Sequence, residues 1–95
     1  RNVYPYHQPY DLVFCLQTLE HIIYWQTALR YLNSLVKPGG HLIITIPNGE
    51  FDILPQHVNR WTFAEFHEIL KPYGDVTMRY LGQYSRILGH VRKGS

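Results

Sequence analysis

Apolar positions change period several times along this chain, and each change marks an element. After Pro9, the run Tyr10-Asp-Leu-Val-Phe-Cys-Leu16 is almost continuously apolar. A short run that is apolar on both alternating faces predicts a strand covered on both sides. Over 24–36 the spacing lengthens. Trp25, Ala28, Leu29, Leu32, Leu35 and Val36 recur at helical intervals, while Gln26, Arg30 and Asn33 fall on the opposite face. Lys37-Pro38-Gly39-Gly40 then predicts a helix end, combining a cation at the negative pole, a proline that cannot continue and glycines free to turn left-handed. His41-Leu-Ile-Ile-Thr-Ile46 is a second buried strand, rich in β-branched residues and closed by Pro47-Asn48-Gly49. Two apolar strands joined by an amphipathic helix form a βαβ unit. Its crossover is right-handed in nearly all cases, so the strands are expected to be adjacent and parallel.

The second half of the chain opens with a long loop over 47–61. Thr62 has the character of a helix N-cap, and Glu65 completes a capping box, with Trp61 and Phe66 spaced as a hydrophobic staple. Phe63, Phe66, Ile69 and Leu70 form the apolar stripe, and Pro72 and Gly74 stop the helix near Lys71. Val76, Met78 and Tyr80 alternate with Thr77 and Arg79, as in a strand with one buried face. Gly82-Gln83 turns the chain into a last strand across about 84–92.

Composition narrows the class. Ninety-five residues allow one small domain, and 45% hydrophobic with 17% charged residues is the balance of a folded chain rather than a disordered one. A formal charge of +2 gives no reason to expect nucleic acid or a membrane as partner. Cys15 is alone, sits inside an apolar run and reads as a small buried hydrophobe. A chain without a second cysteine fits a reducing, cytoplasmic compartment. No apolar stretch approaches the roughly 20 residues that span a bilayer, and no signal-peptide pattern is present. The chain opens with Arg1 and its one methionine is Met78, so a piece of a longer product is expected.

Three stretches together carry a family resemblance. Tyr10-Asp11-Leu12-Val13 through Leu19-Glu20-His21 is the first. Ala28-Leu29 through Lys37-Pro38-Gly39-Gly40 and Ile46-Pro47-Asn48 is the second, and His57-Val58-Asn59-Arg60-Trp61-Thr62 through Phe66 is the third. Their order and spacing resemble the C-terminal half of class I S-adenosylmethionine (SAM)-dependent methyltransferases, in the branch that includes ubiquinone-biosynthesis O-methyltransferases. The resemblance covers about residues 10–80. It implies an α/β fold, half of a Rossmann-like sheet, with strand order 4-5-7-6 in the family's numbering and an antiparallel final hairpin. Residues 1–95 would then be a partial methyltransferase domain that begins just before the family's fourth strand. The Gly-rich turn and the ribose-binding acidic residue of the family have no counterpart here, because Gly39-Gly40 follows a helix instead of opening one.

The resemblance also nominates residues. Leu16, Gln17 and Thr18, just after the first strand, would pass beside the methionine part of SAM, since ligands of open α/β sheets sit at the carboxyl ends of the strands. Glu20 and His21 match the end of a Glu-x-x-Glu-His pattern with which some of these O-methyltransferases hold a divalent cation. Gln17 replaces the first carboxylate and is a weaker ligand for a hard cation, so the reading is of no metal, with Glu20 and His21 as the candidate ligands otherwise. Glu20 could equally cap the following helix. His21 and His57 are candidate bases for an acceptor hydroxyl, because imidazole is available in neutral form near pH 7. A lone histidine in a surface loop is ordinarily solvent-facing, and that is the bland expectation for His57. Tyr24, Trp25 and Trp61 are expected in core packing rather than in an acceptor pocket. His7, His41, His67 and His90 lack ligand spacing and receive no role.

The function implied is methyl transfer from SAM to a small-molecule acceptor, more readily oxygen. The alternative is a degenerate methyltransferase-like domain serving as an interaction or scaffold module. A small nucleic-acid binder is disfavoured because Lys and Arg do not cluster. Removing the family's first three strands leaves the Leu12–Leu16 edge open, so a dimer or pairing with the missing half through that edge is expected.

Overall fold

The computed structural model describes residues 10–94, so His7, Pro9 and both ends of the 1–95 domain lie outside the described residues. Four strands, β1 (Tyr10–Leu16), β2 (Val36–Pro47), β3 (Asp75–Leu81) and β4 (Arg86–Arg92), form one mixed sheet in the order β1-β2-β4-β3. β1 and β2 are adjacent and parallel, with Leu12 opposite His41 and Leu16 opposite Thr45. β4 runs antiparallel to β2 and forms a hairpin with β3. Helix α1 (Trp25–Ser34) makes the crossover between the parallel strands, and α2 (Phe63–Leu70) follows the long loop.

Strand registers explain which side chains form the core. Val13 and Cys15 align with Leu42 and Ile44, which align in turn with Val91 and Gly89. This face is the buried one, and Leu29 of α1 and Phe66 and Leu70 of α2 join it. Trp25 meets Trp61 edge-on at 5.2 Å between ring centroids, and Trp61 lies 6.1 Å from Phe66, so one apolar layer links the two helices. Gly89 permits this close approach, since a Cβ there would sit 2.9 Å from Phe66 Cε2 and closer still to Leu70 Cδ1. Burial pushes the Cys15 thiol up, which keeps it a neutral packing group as expected.

Helix α2 begins as its sequence dictates. The Thr62 hydroxyl accepts from the Glu65 N–H at 3.3 Å, and the Glu65 carboxylate accepts from the Thr62 N–H at 2.9 Å. The end of α1 differs from expectation. The helix stops at Ser34, and Val36 already pairs with Tyr10 of β1. Lys37–Gly40 is therefore an irregular bulge within β2 rather than a helix cap, with Gly39 at φ 81 turning the chain. The helix end is satisfied from far away: Lys93 Nζ donates to the carbonyls of Asn33 at 3.0 Å and Val36 at 2.9 Å. A cation does sit at the negative pole, but it comes from beyond β4 and not from Lys37, which pairs with Asp11 at 3.5 Å.

The other face of the sheet is open among the described residues. Leu12, Phe14 and Leu16 are 45%, 57% and 56% exposed, so β1 is an edge strand covered on one face, not the doubly covered strand its composition suggests. His41 and His90, given no role above, lie on this open face with Nδ1 and Nε2 2.8 Å apart. Tyr24 is exposed, contrary to core packing, whereas Trp61 is buried as expected. Tyr80 is more exposed than its alternation suggested, stacking on Phe63 at 4.5 Å at the sheet's margin. The last strand starts at Arg86, because Gly82–Ser85 is spent on the turn.

Candidate functional site

Polar groups gather at the carboxyl ends of β1 and β2. Immediately after β1 the chain turns sharply at Gln17, whose φ of 53 is left-handed for a residue with a side chain. Such a conformation costs about 1 kcal/mol and persists where neighbours over-determine it. Here the Gln17 N–H is held by the Thr45 carbonyl at 2.9 Å and the Thr45 hydroxyl at 3.2 Å. Thr18 Oγ1 donates back to the Leu16 carbonyl at 3.0 Å. The buried Gln17 amide nitrogen has no hydrogen-bond partner among the described residues.

A short 3-10 turn, Leu19–His21, follows. It is pinned by a residue that sequence reasoning passed over. Asn59 Nδ2 donates to the carbonyls of Leu19 at 2.9 Å and Ile22 at 2.6 Å, and the Asn59 N–H donates to the Glu20 carbonyl at 3.1 Å. This fixes Glu20 and His21. The Glu20 side chain is 2% exposed, lies 3.7 Å from His21 Nε2 and has one buried oxygen, Oε1, without a partner among the described residues. It does not cap α1, whose N-cap Tyr24 receives no side-chain bond.

The loop after β2 supplies the opposing wall. Asn48 is buried, donates from Nδ2 to the Tyr84 carbonyl at 2.9 Å and accepts at Oδ1 from the Glu50 N–H at 3.0 Å. Its own carbonyl accepts from the N–H groups of Phe51 and Asp52. Gly49 must be small, because a Cβ there would lie 2.7 Å from the Trp61 backbone. His57 is then buried, 8% exposed, which overturns the solvent-facing expectation. Its Nδ1 lies 2.6 Å from Oδ2 of Asp52, a carboxylate that is itself only 3% exposed. Asp52 Oδ1 accepts from the Leu54 N–H at 3.1 Å, and Arg60 grips this loop through the Asp52 and Leu54 carbonyls. Burial pushes the Asp52 carboxyl up. The hydrogen bonds from His57 and Leu54, together with the charges of His57 and Arg60, outweigh that and hold it below its ordinary 3.8.

The two walls meet. The rings of His21 and His57 contact edge-on at 4.7 Å, and Glu20, His21 and His57 each bring a donor atom within 4.8 Å of the others. Of the residues nominated from sequence, His21 and His57 are in contact, and Leu16–Thr18 lead into the turn that carries His21, whose N–H donates to the Thr18 carbonyl at 3.0 Å. Asp52 and Asn59 were missed. The available signal was an Asp five residues before His57 and an Asn two residues after it, in a loop where no periodicity reports contacts.

A loop cluster over the carboxyl ends of parallel strands is the place where open α/β sheets bind ligands, and the chain is an α/β domain with such a cluster. A family model described as a methyltransferase domain matches residues 2–86. The chain belongs to this methyltransferase family. It is 41% identical over 44 residues to the ubiquinone biosynthesis O-methyltransferase of Vibrio atlanticus, a match covering 46% of this chain and 19% of that protein. It is 35% identical over 57 residues to the enzyme of the same name from Vibrio vulnificus, covering 60% and 21%. Its fold is similar to a methyltransferase solved with the Haloferax volcanii Trm112 methyltransferase activator, at TM-score 0.76 and 12% identity, covering 98% of this chain and 58% of that one. It is also similar to the N-methyltransferase NodS from Bradyrhizobium japonicum, at TM-score 0.65 and 16% identity, covering 90% and 51%. The chain therefore matches about a fifth of the length of these curated relatives and little more than half of the solved structures.

Proposed function

We propose that this chain is the acceptor-side half of a SAM-dependent methyltransferase acting on a small molecule, with a hydroxyl oxygen as acceptor. The observation that carries the reading is the contact of His21 with His57 beside the turn by which the chain leaves β1 at Leu16–Thr18, in a chain of this family. Support for oxygen comes from the O-methyltransferases among its relatives. On this reading β1, β2, β3 and β4 correspond to the family's fourth, fifth, sixth and seventh strands. The site would lie in the cytoplasm, in keeping with a free thiol at Cys15.

SAM, when bound, supplies a methyl group on a positively charged sulfur. The turn at Leu16–Thr18 would hold its amino-acid end, and the unpartnered Gln17 amide is a donor of the right kind for a carboxylate. This half offers one wall, without the glycine turn or ribose-binding acid, so the 95 residues alone are inactive in our reading. His57 takes the acceptor's proton on Nε2, the ring nitrogen that Asp52 does not bond, with the more exposed His21 beside it. Positioning and proton removal together suffice for an in-line displacement. We read the centre as metal-free. Glu20 contributes the only carboxylate of the Glu20–His21–His57 group, whereas hard cations take six or more oxygens, and Asp52 already occupies His57 Nδ1.

The reading is tested by methyl transfer from labelled SAM to phenolic acceptors by the complete methyltransferase domain that carries this chain and by its His57→Gln variant, with and without chelator. We expect a rate at least 100-fold lower in the variant, as removal of a general base costs about 10²–10⁴, and no effect of chelator. Equal rates would overturn the role of His57, and chelator sensitivity would overturn the metal-free centre. Gln17 in place of a carboxylate favours the second reading, a scaffold without catalysis, which predicts no turnover in any arm.

A further inference from the structure

We propose that Asp52 is a positioning residue that fixes the tautomer of His57, holding the proton on Nδ1 so that Nε2 presents its lone pair to the acceptor. The inference rests on the reading of His57 as the base. A neutral imidazole carries its proton on one nitrogen, and the group bonded to the other ring position decides which. Here Nδ1 faces a carboxylate oxygen at 2.6 Å, and a carboxylate accepts only, so the hydrogen between them belongs to His57. Both side chains are largely buried, His57 at 9% and Asp52 at 3% exposure, so solvent has little access to the bond.

Asp52 is itself over-determined. Its N–H is tied to the Asn48 carbonyl, its Oδ1 to the Leu54 N–H and its carbonyl to Arg60 Nε, which leaves Oδ2 aimed at His57 with little freedom to rotate. The same constellation, a buried carboxylate behind a histidine base, secures tautomer and orientation in hydrolases. The loop after β2 thus does more than connect. It runs from Asn48 at the strand end through Asp52 to His57, and converts the position of β2 into the orientation of an imidazole ring.

A structural role for Asp52, closing the turn through Leu54, is separable from this one. In Asp52→Asn the amide oxygen keeps the Leu54 bond. The amide NH₂ then faces Nδ1 and can only donate, which forces the proton of His57 to Nε2 and removes the lone pair from the site. Nitrogen-15 NMR of the His57 ring near neutral pH reads the tautomer directly. We expect an Nδ1–H imidazole in the protein and an Nε2–H imidazole in Asp52→Asn, with an unchanged fold. In the methyl-transfer assay of the complete domain that carries this chain, kcat falls at least 100-fold while KM for SAM stays within twofold, and Asp52→Glu restores part of the rate. An Nε2–H tautomer in the unaltered protein overturns the proposal even if no variant folds, as does an Asp52→Asn protein with unchanged tautomer and kcat. If the tautomer shifts as expected while His57→Gln retains full rate, Asp52 positions His57 but the base lies elsewhere, and the failure belongs to the functional reading alone.

Discussion

Replacing Asn59 by Ala removes a clamp that no regular element supplies. Two side-chain hydrogen bonds are lost, at 2.9 Å to the Leu19 carbonyl and 2.6 Å to the Ile22 carbonyl. Leu19 keeps a second donor, the Ile22 N–H at 3.1 Å, whereas Ile22 has no other partner for its carbonyl among the described residues. Each lost bond is worth about 1 kcal/mol net, and leaving the Ile22 oxygen unpaired adds about another, for a total of about 2–3 kcal/mol. For a domain of this size that lowers the melting temperature by about 10–20 °C. Asn59→Asp goes further, because it sets a carboxylate against two carbonyl oxygens where two donors stood, and its deficit relative to Ala shrinks as acid protonates it. Urea and thermal unfolding of both variants at neutral and acid pH make the comparison. An Ala variant within about 0.5 kcal/mol of the unaltered protein, or an Asp variant no worse than Ala, would refute the clamp.

Further outcomes follow from other contacts. Lys93→Met removes the bonds to the Asn33 carbonyl at the end of α1 and the Val36 carbonyl at the start of β2, and its unfolding free energy is expected to drop by about 2 kcal/mol in denaturant titration, with salt narrowing the gap. Asp52 is lowered from 3.8 in the folded state, so its stabilisation is complete above that value and lost as pH falls through the lower folded value. Urea midpoints of the protein and of Asp52→Asn should therefore differ near neutrality and converge in acid. Among the described residues β1 is the open edge of the sheet, with Leu12, Phe14 and Leu16 exposed. Covering about 300 Å² of it returns about 7 kcal/mol before association costs, so sedimentation should find the chain paired, with a second copy or with the region preceding it in full-length relatives, and Phe14→Lys should abolish pairing. A stable monomer would contradict this.

What the sequence disclosed is what short-range physics decides. The capping box at Thr62 and Glu65 is a bond between neighbours, and the structure forms it as written. The parallel pairing of β1 with β2 followed from two apolar runs with a helix between them. Lys37-Pro38-Gly39-Gly40 misled because proline and glycines mark a helix end and a strand bulge alike. The choice was made by Tyr10 pairing with Val36 and by Lys93, more than 50 residues away, taking over the helix carbonyls. The candidate site residues were nominated through family resemblance, whereas their geometry was not legible in the sequence. Nothing local announces that Gln17 turns left-handed, since Thr45 on the neighbouring strand holds it there. Nor does a loop histidine reveal its burial, which depends on Asp52, Asn48 and Arg60 closing the loop around it.

The central claim is that the turn after β1 forms one wall of a SAM site, and amide NMR of these 95 residues titrated with SAM tests it most directly. The account predicts shifts concentrated at Leu16, Gln17, Thr18 and Glu20, saturating only in the millimolar range because the rest of the pocket is supplied elsewhere. Micromolar binding, or shifts gathered at Gly39–Gly40 or on the open face of the sheet, would contradict it.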